Sequence, residues 1–257
     1  YSGHVWIFAD ASGKHLAGVV ATEASSLARV TGKVESREVE AKPREVSPDG
    51  TWRAVIRDHN VVVHALKGGE ELALTKDGSA ENRYRGPFFW SPDSRKLAAF
   101  QENSVETRKV HIVESSPKDQ LQPKLKTLNY PKPGDELPKA KPCLFDIDSR
   151  RALPVDAALF SNPWSIENES WSADSSEFRF VYNQRGHQMM RVIGLRADSG
   201  SARVILEETS KTFIDYSQKF FYQPIRAGAE FLWASERDGC NRLYRHDTAS
   251  GKELSAL

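Results

Sequence analysis

Short hydrophobic runs, separated by polar turns, repeat along almost the whole chain. Residues 52–56 and 61–66 flank a polar turn at 57–60, and residues 178–182 and 190–193 flank a second turn between them. Apolar, β-branched and aromatic runs on either side of Asn, Asp and Gly residues predict β-hairpins. No segment repeats its apolar residues every three to four positions, so the pattern predicts very little helix.

One turn recurs three times and sets the period of the chain. Its copies are Ser47-Pro48-Asp49-Gly50, Ser91-Pro92-Asp93-Ser94 and Ser172-Ala173-Asp174-Ser175, and a strand-like run follows each copy. Proline suits the first central position of a type I turn, and aspartate bonds the backbone two residues on. The first two serines lie 44 residues apart, and the next pair lies 81 apart, close to twice that distance. A period of about 40 to 45 residues with several strands per unit is typical of a β-propeller blade.

These repeats predict an all-β fold, a β-propeller domain over residues 1–257 that contains roughly six blades. Residues 88–100 are predicted to begin one blade, and residues 110–113 to continue it. The Pro- and Lys-rich residues 114–142 break the rhythm. Because proline lacks a backbone donor, we predict an extended excursion from a blade there rather than a central strand. The length of this excursion accounts for the doubled spacing of the repeats.

Charge and composition exclude several classes of function. The 36 basic and 35 acidic side chains give a net charge of +1, so no overall field favours nucleic acid. The seven histidines lack the spacing of metal ligands, and we expect no metal site. No apolar run is long enough to span a bilayer. Cys143 and Cys240 form one disulfide or remain two buried free thiols, and the sequence leaves both open.

Five segments occur here in the order in which one family carries them. They are residues 90–94, 115–124, 130–135, 182–188 and 235–239. Together they resemble the N-terminal β-propeller of the dipeptidyl peptidase IV family of serine prolyl peptidases. The resemblance implies an irregular eight-bladed propeller above an α/β-hydrolase domain, in an enzyme that releases N-terminal dipeptides and needs no cofactor. It also implies a secreted, periplasmic or cell-surface location.

The chain lacks the sequence motif of the family's catalytic serine. None of the 16 glycines is followed by serine two positions on, so the G-x-S-x-G nucleophile elbow is absent. The resemblance therefore implies that this chain is inactive alone and restricts substrate entry to a C-terminal α/β-hydrolase domain of the same protein. The alternative is a stand-alone propeller that serves as a binding scaffold for another protein.

The expected partner is a peptide with a free N-terminus, whose ammonium group a carboxylate binds best through charge-assisted hydrogen bonds. The family's acidic pair before a W-S-P turn is missing, and Glu81 is the only carboxylate in about that place. The resemblance makes Glu81 the candidate amine ligand, with a solvated loop acid as the alternative. Arg185 and His187 are candidates for contact with substrate carbonyls. The alternative for these two residues is that they hydrogen-bond their own blade.

Overall fold

The structure, a computed structural model, describes the chain at residues 7–9, 15–18 and 44–257. The described chain is almost entirely β-structure, with two single-turn 3-10 segments at Ala158–Phe160 and Arg226–Gly228. The prediction of an all-β fold is confirmed.

The strands of the described residues are, in chain order, β1 (Ile7–Ala9), β2 (His15–Gly18), β3 (Trp52–Arg57), β4 (Asn60–Ala65), β5 (Glu71–Ala73), β6 (Asn82–Trp90), β7 (Lys96–Asn103), β8 (Lys109–Glu114), β9 (Lys124–Asn129), β10 (Ala140–Asp146), β11 (Arg151–Leu153), β12 (Pro163–Trp171), β13 (Glu177–Gln184), β14 (Met189–Arg196), β15 (Ala202–Thr209), β16 (Tyr222–Ile225), β17 (Glu230–Ser235), β18 (Arg242–Asp247) and β19 (Glu253–Ala256).

Neighbouring strands pair antiparallel in a simple up-and-down order. We call the sheet β3-β4-β5 the first blade, β6-β7-β10-β11 the second, β12-β13-β14-β15 the third and β16-β17-β18-β19 the fourth. Strands β1 and β2 form a separate pair, as do β8 and β9. Repeated four-stranded antiparallel sheets are the blades of a β-propeller. The count of roughly six blades stays a prediction, because residues 19–43 lie outside the described part of the chain.

Aromatic side chains fill the space between the second and third blades. The rings of Phe89 and Phe178 lie 5.8 Å apart across this boundary, and Phe178 lies 5.3 Å from the Trp171 ring. All three side chains are buried, and each favours folding by roughly 1.5–3 kcal/mol. This packing fixes β6 relative to β12, the two strands that carry the candidate site described below.

Each recurring turn is closed by its own serine. Ser47, Ser91 and Ser172 donate hydrogen bonds of 2.6, 2.5 and 2.5 Å to the aspartate two residues on. In the third copy, hydrogen bonds from Ser172 and Ser176 lower the pKa of Asp174 to about 2. Asp174 is therefore ionised at neutral pH and accepts the hydrogen bonds that close its turn.

The same turns also hydrogen-bond the next turn along the chain. The backbone N–H of Asp49 donates to the Ser94 hydroxyl at 3.1 Å, and that of Asp93 donates to the Ser175 hydroxyl, also at 3.1 Å. The indole N–H of Trp171 donates to a backbone carbonyl of β6 at 3.0 Å. The repeated residues therefore hold neighbouring blades together, which explains why they recur at the blade period.

We expect the Ser175→Ala variant to be less stable than the wild type by about 1–2 kcal/mol, because the backbone N–H of Asp93 loses its acceptor in a partly buried place. The free energy of unfolding in urea measures this effect. Ser176→Ala is the matched control, since Ser176 is exposed and its hydroxyl bonds only within its own turn. Equal losses in the two variants would contradict a role for Ser175 between the blades.

The connection from β7 to β10 contains a β-hairpin outside the blade. Strands β8 and β9 pair with each other over all six residues of each strand and with no blade strand. The prediction that residues 110–113 continue the second blade is therefore wrong. Pro142 does lie in β10, opposite Phe100, but the outer strand β11 pairs with β10 only from residue 144 onward. Proline is tolerated there because no outer neighbour needs its missing donor.

Both cysteines are free thiols. The disulfide alternative is therefore excluded. Cys143 is half-buried and Cys240 is exposed, so only Cys143 is shielded from solvent.

Candidate functional site

A cavity of about 310 Å³ lies between the first strand of the second blade and the first strand of the third. We call it the interblade cavity. Its volume is at the lower end of the roughly 300–1,000 Å³ range of small-ligand sites. Most of the exposed surface of its wall is polar, and the apolar residues in the wall are Pro87, Phe100, Pro138, Ala140, Pro163, Trp164 and Ile166.

Two of the charged residues in the cavity wall already neutralise each other. One carboxylate oxygen of Glu102 accepts from Arg83 at 3.0 Å, and the other accepts from Arg85 at 2.8 Å. The Arg85 guanidinium also donates to the Gly86 carbonyl and lies 5.5 Å above the Phe100 ring centre. Arg85 and Glu102 are therefore satisfied without a ligand.

Glu169, the second carboxylate in the cavity wall, has no such partner. It is half-buried, and within residues 44–257 no other side chain forms a salt bridge or hydrogen bond with its carboxylate. Burial raises the pKa of Glu169, and the nearby Glu167 carboxylate adds to the rise, whereas a hydrogen bond from its own backbone N–H and the charge of Arg85 oppose it. A carboxylate in this state gains from an incoming cation, because the cation replaces the water that the carboxylate has lost.

The position of Glu169 depends on an irregularity of β12. The pairing register between β12 and β13 shifts between Glu167 and Ser170, and Asn168 between them has a left-handed φ of 58°. Asparagine tolerates this conformation better than most residues. The bulge leaves Glu167 exposed and places Glu169 in the cavity wall.

An aromatic cluster adjoins the cavity at Trp164. The His187 ring stacks on Tyr216 at 4.1 Å between ring centres, with Trp164 at 5.1 Å and Phe213 at 5.5 Å. Burial lowers the pKa of His187, and its Nδ1 lies 3.1 Å from the Asn183 side-chain oxygen. Trp164 and Phe213 remain 46% and 51% exposed, so the cluster presents an open aromatic surface.

The structure places Arg185 and His187 in the turn between β13 and β14. The Arg185 guanidinium donates to the Asp135 carbonyl at 2.5 Å, which connects the third blade to the residues after the β8–β9 hairpin. The backbone carbonyl of His187 accepts from the backbone N–H of Ile214 at 2.8 Å. Both residues therefore take part in contacts within the chain, and their predicted contact with substrate stays a prediction.

Glu81 lies in a different place, in the turn that leads into β6. Its side chain is exposed, its backbone carbonyl accepts from Ser104 at 2.6 Å, and its backbone N–H donates to the Ser79 hydroxyl at 3.2 Å. A hydrogen bond from its own N–H and one from Ser79 lower the pKa of Glu81, so it is ionised. Within residues 44–257, no hydrogen bond or ion pair joins it to Arg185 or His187.

The residues 44–257 contain no group of three or more His, Cys, Asp and Glu side chains arranged to hold a metal ion. Among the described residues, no helix is long and apolar enough to cross a membrane.

The sheet order and the repeated turns define this chain as a β-propeller domain. The sequence model of the family described as the dipeptidyl peptidase IV (DPP IV) N-terminal region matches residues 19–256, and the chain belongs to this family.

Two solved structures share this fold. Dipeptidyl peptidase 4 from Porphyromonas gingivalis is 20% identical over 82% of this chain and 31% of its own, with a TM-score of 0.61. A candidate dipeptidyl aminopeptidase IV from Bacteroides ovatus is 15% identical over 96% of this chain and 34% of its own, with a TM-score of 0.55. This chain therefore spans about a third of the length of each.

Sequence reasoning did not single out Glu169 or Trp164. A usable signal was present, since Glu167 and Glu169 stand just before the recurring turn that begins at Trp171-Ser172. The sequence signal for Glu169 was therefore its position two residues before a recurring Trp-Ser turn.

Proposed function

We propose that this chain is the substrate-gating propeller of a serine exopeptidase that releases dipeptides from the free N-termini of peptides. In this proposal a C-terminal α/β-hydrolase domain of the same protein supplies the serine, histidine and aspartate that cleave the peptide bond. The propeller limits entry to unfolded peptides and holds the amino end of the substrate. It needs no cofactor for either task.

Membership of the DPP IV N-terminal family over residues 19–256 is the observation that carries this proposal. The match covers nearly the whole chain, and both solved structures of the same fold are described as dipeptidyl peptidases. The chain itself contains no G-x-S-x-G elbow, which fits a domain that assists catalysis without performing it.

Glu81, Arg185 and His187 are the substrate contacts that we propose from the family resemblance. The exposed, ionised carboxylate of Glu81 is suited to an ammonium group. His187 lies beside the open surface of Trp164 and Phe213, where a peptide could add contacts to those that this residue already makes. Arg185 stands two residues before it in the same turn.

The experiment is release of a chromophore from a glycyl-prolyl substrate, measured with the full-length protein and with residues 1–257 alone. We expect turnover by the full-length protein and none by residues 1–257, because the nucleophile lies outside this chain. No turnover by either protein would contradict the exopeptidase and favour a propeller that serves as a binding scaffold.

A further inference from the structure

We propose that residues 131–138 form a strap over one side of the interblade cavity, and that Arg185 is the latch that holds this strap closed. The strap controls access to the cavity. The inference rests on the path of the chain between two blades and on the few contacts that hold it there, and it does not depend on the proposed exopeptidase activity.

The strap crosses the space between the third blade and the second. Asp135 contacts the third blade, because its backbone carbonyl accepts a hydrogen bond from the Arg185 guanidinium at 2.5 Å. Lys139 contacts the second blade, because its backbone N–H donates to the Asn103 side-chain oxygen at 2.6 Å. The steps of chain from one contact to the other reach at most about 14 Å. Residues 136–138 are therefore confined to the space between the two blades.

The strap also supplies part of the cavity wall. Pro138 lies in this wall, as does Ala140, the first residue of β10. On the third blade, Pro163, Trp164 and Ser165 line the cavity. Movement of the strap away from the third blade therefore opens the wall at Pro138 and exposes the residues of β12.

Few contacts hold the strap in place. Within residues 44–257, the Arg185 hydrogen bond is the one that joins residues 131–138 to the third blade. Two more hydrogen bonds, donated by the backbone N–H groups of Lys132 and Asp135, close a turn inside the strap itself. Most residues of the strap are exposed. A segment with exposed backbone and few contacts opens at a low cost in free energy.

The two ends of the strap are held differently. Its C-terminal end continues into β10, which pairs with β7 from Ala140 onward. Its N-terminal end follows the β8–β9 hairpin, which pairs with no blade strand among the described residues. Release of Arg185 therefore leaves the strap attached to a blade at one end only.

Arg185 is suited to be the latch, because its side chain makes no other hydrogen bond or ion pair within residues 44–257. Its backbone N–H donates separately, to the Asn162 carbonyl at 3.1 Å. A charged donor strengthens the bond to Asp135 relative to a neutral donor. Replacement of the side chain therefore frees the strap and leaves the hydrogen bonds of the third blade in place.

Access to the cavity is measured by thiol labelling of the full-length protein. The Ser165→Cys change places a thiol in the cavity wall, where Ser165 is half-buried, and the two side chains are close in size. A maleimide reagent modifies the thiol, and mass spectrometry of the peptide that contains residue 165 gives the rate. Cys143 is the internal control, because this half-buried thiol packs against the hydrophobic cluster of the first and second blades and does not line the cavity.

We expect Arg185→Leu to raise the labelling rate of the introduced thiol about tenfold or more, the factor that corresponds to loss of a hydrogen bond from a charged donor. Arg185→Lys keeps the charge and can still donate one hydrogen bond, so its rate should lie between those of Arg185→Leu and the unchanged latch. Arg196→Leu is the matched control, because Arg196 pairs with Asp198 at the other end of β14. Its rate should change by less than about twofold.

Cleavage by a glutamate-specific protease is a second measurement, and it needs no introduced thiol. Glu136 is exposed in the strap, and proteases cut a segment when it opens transiently. Cleavage after Glu136 should become about tenfold faster in Arg185→Leu and stay unchanged in Arg196→Leu.

Equal labelling of the introduced thiol with and without Arg185→Leu would overturn the proposal. An equal rise at Cys143 would also overturn it, because the variant would then have loosened the blades in general. Labelling is measured without substrate, so absence of turnover of the glycyl-prolyl substrate would count against the proposed function alone.

Discussion

Replacement of Glu177 by glutamine is expected to lower the free energy of unfolding by about 3–5 kcal/mol, because it leaves two half-buried arginines without their shared carboxylate. Glu177 is 6% exposed and accepts from Arg179 at 2.7 Å and from Arg203 at 2.6 Å. The same arginines donate to the carbonyls of Gly228 and Ala249. The loss therefore weakens the boundary between the third and fourth blades as well as the third blade itself.

The chain offers a matched control for this prediction. Asp198→Asn removes a carboxylate that also pairs with an arginine of the third blade, but the two side chains of this pair are 62% and 61% exposed. Exposed pairs contribute little to stability, so the unfolding midpoint should stay unchanged within error. Urea unfolding followed by tryptophan fluorescence compares both variants with the wild type. Equal midpoints for the wild type and Glu177→Gln would contradict a stabilising role of the cluster.

The effect of Glu177 should also depend on pH. Burial opposes its ionisation, but hydrogen bonds from Arg203 and Arg179 outweigh burial and hold the pKa of Glu177 below its usual value of 4.5. A group with a lowered folded-state pKa stabilises the fold above its unfolded-state pKa, and the stabilisation is lost as pH falls. The difference between wild type and Glu177→Gln should therefore be complete at neutral pH and shrink as pH falls below 4.5.

Acetylation of the substrate amine is expected to lower kcat/KM for a glycyl-prolyl substrate by roughly 30- to 4,000-fold in the full-length protein. Loss of one partner of a desolvated, hydrogen-bonded charge pair costs about 2–5 kcal/mol, and each 1.4 kcal/mol is about tenfold. The proposed function requires that a carboxylate of this chain binds the ammonium group. The measurement is release of the chromophore from the free and the acetylated substrate.

A sarcosyl-prolyl substrate is the control for the size of the acetyl group. Its N-methyl amine keeps the positive charge and adds bulk at the same atom, so most of kcat/KM should remain. Equal cleavage of the acetylated and free substrates would contradict recognition of the amino end. A large loss with sarcosyl-proline as well would assign the effect to size rather than to charge.

The sequence predicted those parts of the fold that depend on local chemistry. The turns at Ser47, Ser91 and Ser172 form because serine, aspartate and the small exit residue satisfy the backbone within a few positions. The hairpin of β3 and β4 follows from two apolar runs around a polar turn. These contacts join residues that are close together in the chain, so they can be predicted from a single sequence.

The parts that the sequence did not predict depend on contacts between distant residues. Residues 110–113 have the composition of a blade strand, but their partner is β9, and composition does not specify the partner. Glu169 lies in a cavity wall because of the bulge at Asn168 and the approach of β6 from another blade. Glu81 was chosen for its position before the Trp90 turn, whereas the interblade cavity is lined by Glu169 and not by Glu81.

The most direct test of the central claim, that this chain holds the amino end of a substrate, is a crystal structure of the full-length protein with a bound glycyl-prolyl peptide. The serine nucleophile of the proposed hydrolase domain would be replaced by alanine, so that the peptide stays intact. We expect the ammonium nitrogen to lie about 2.7–3.2 Å from a carboxylate oxygen of residues 44–257. An ammonium group that contacts only residues outside this chain, or only solvent, would contradict it.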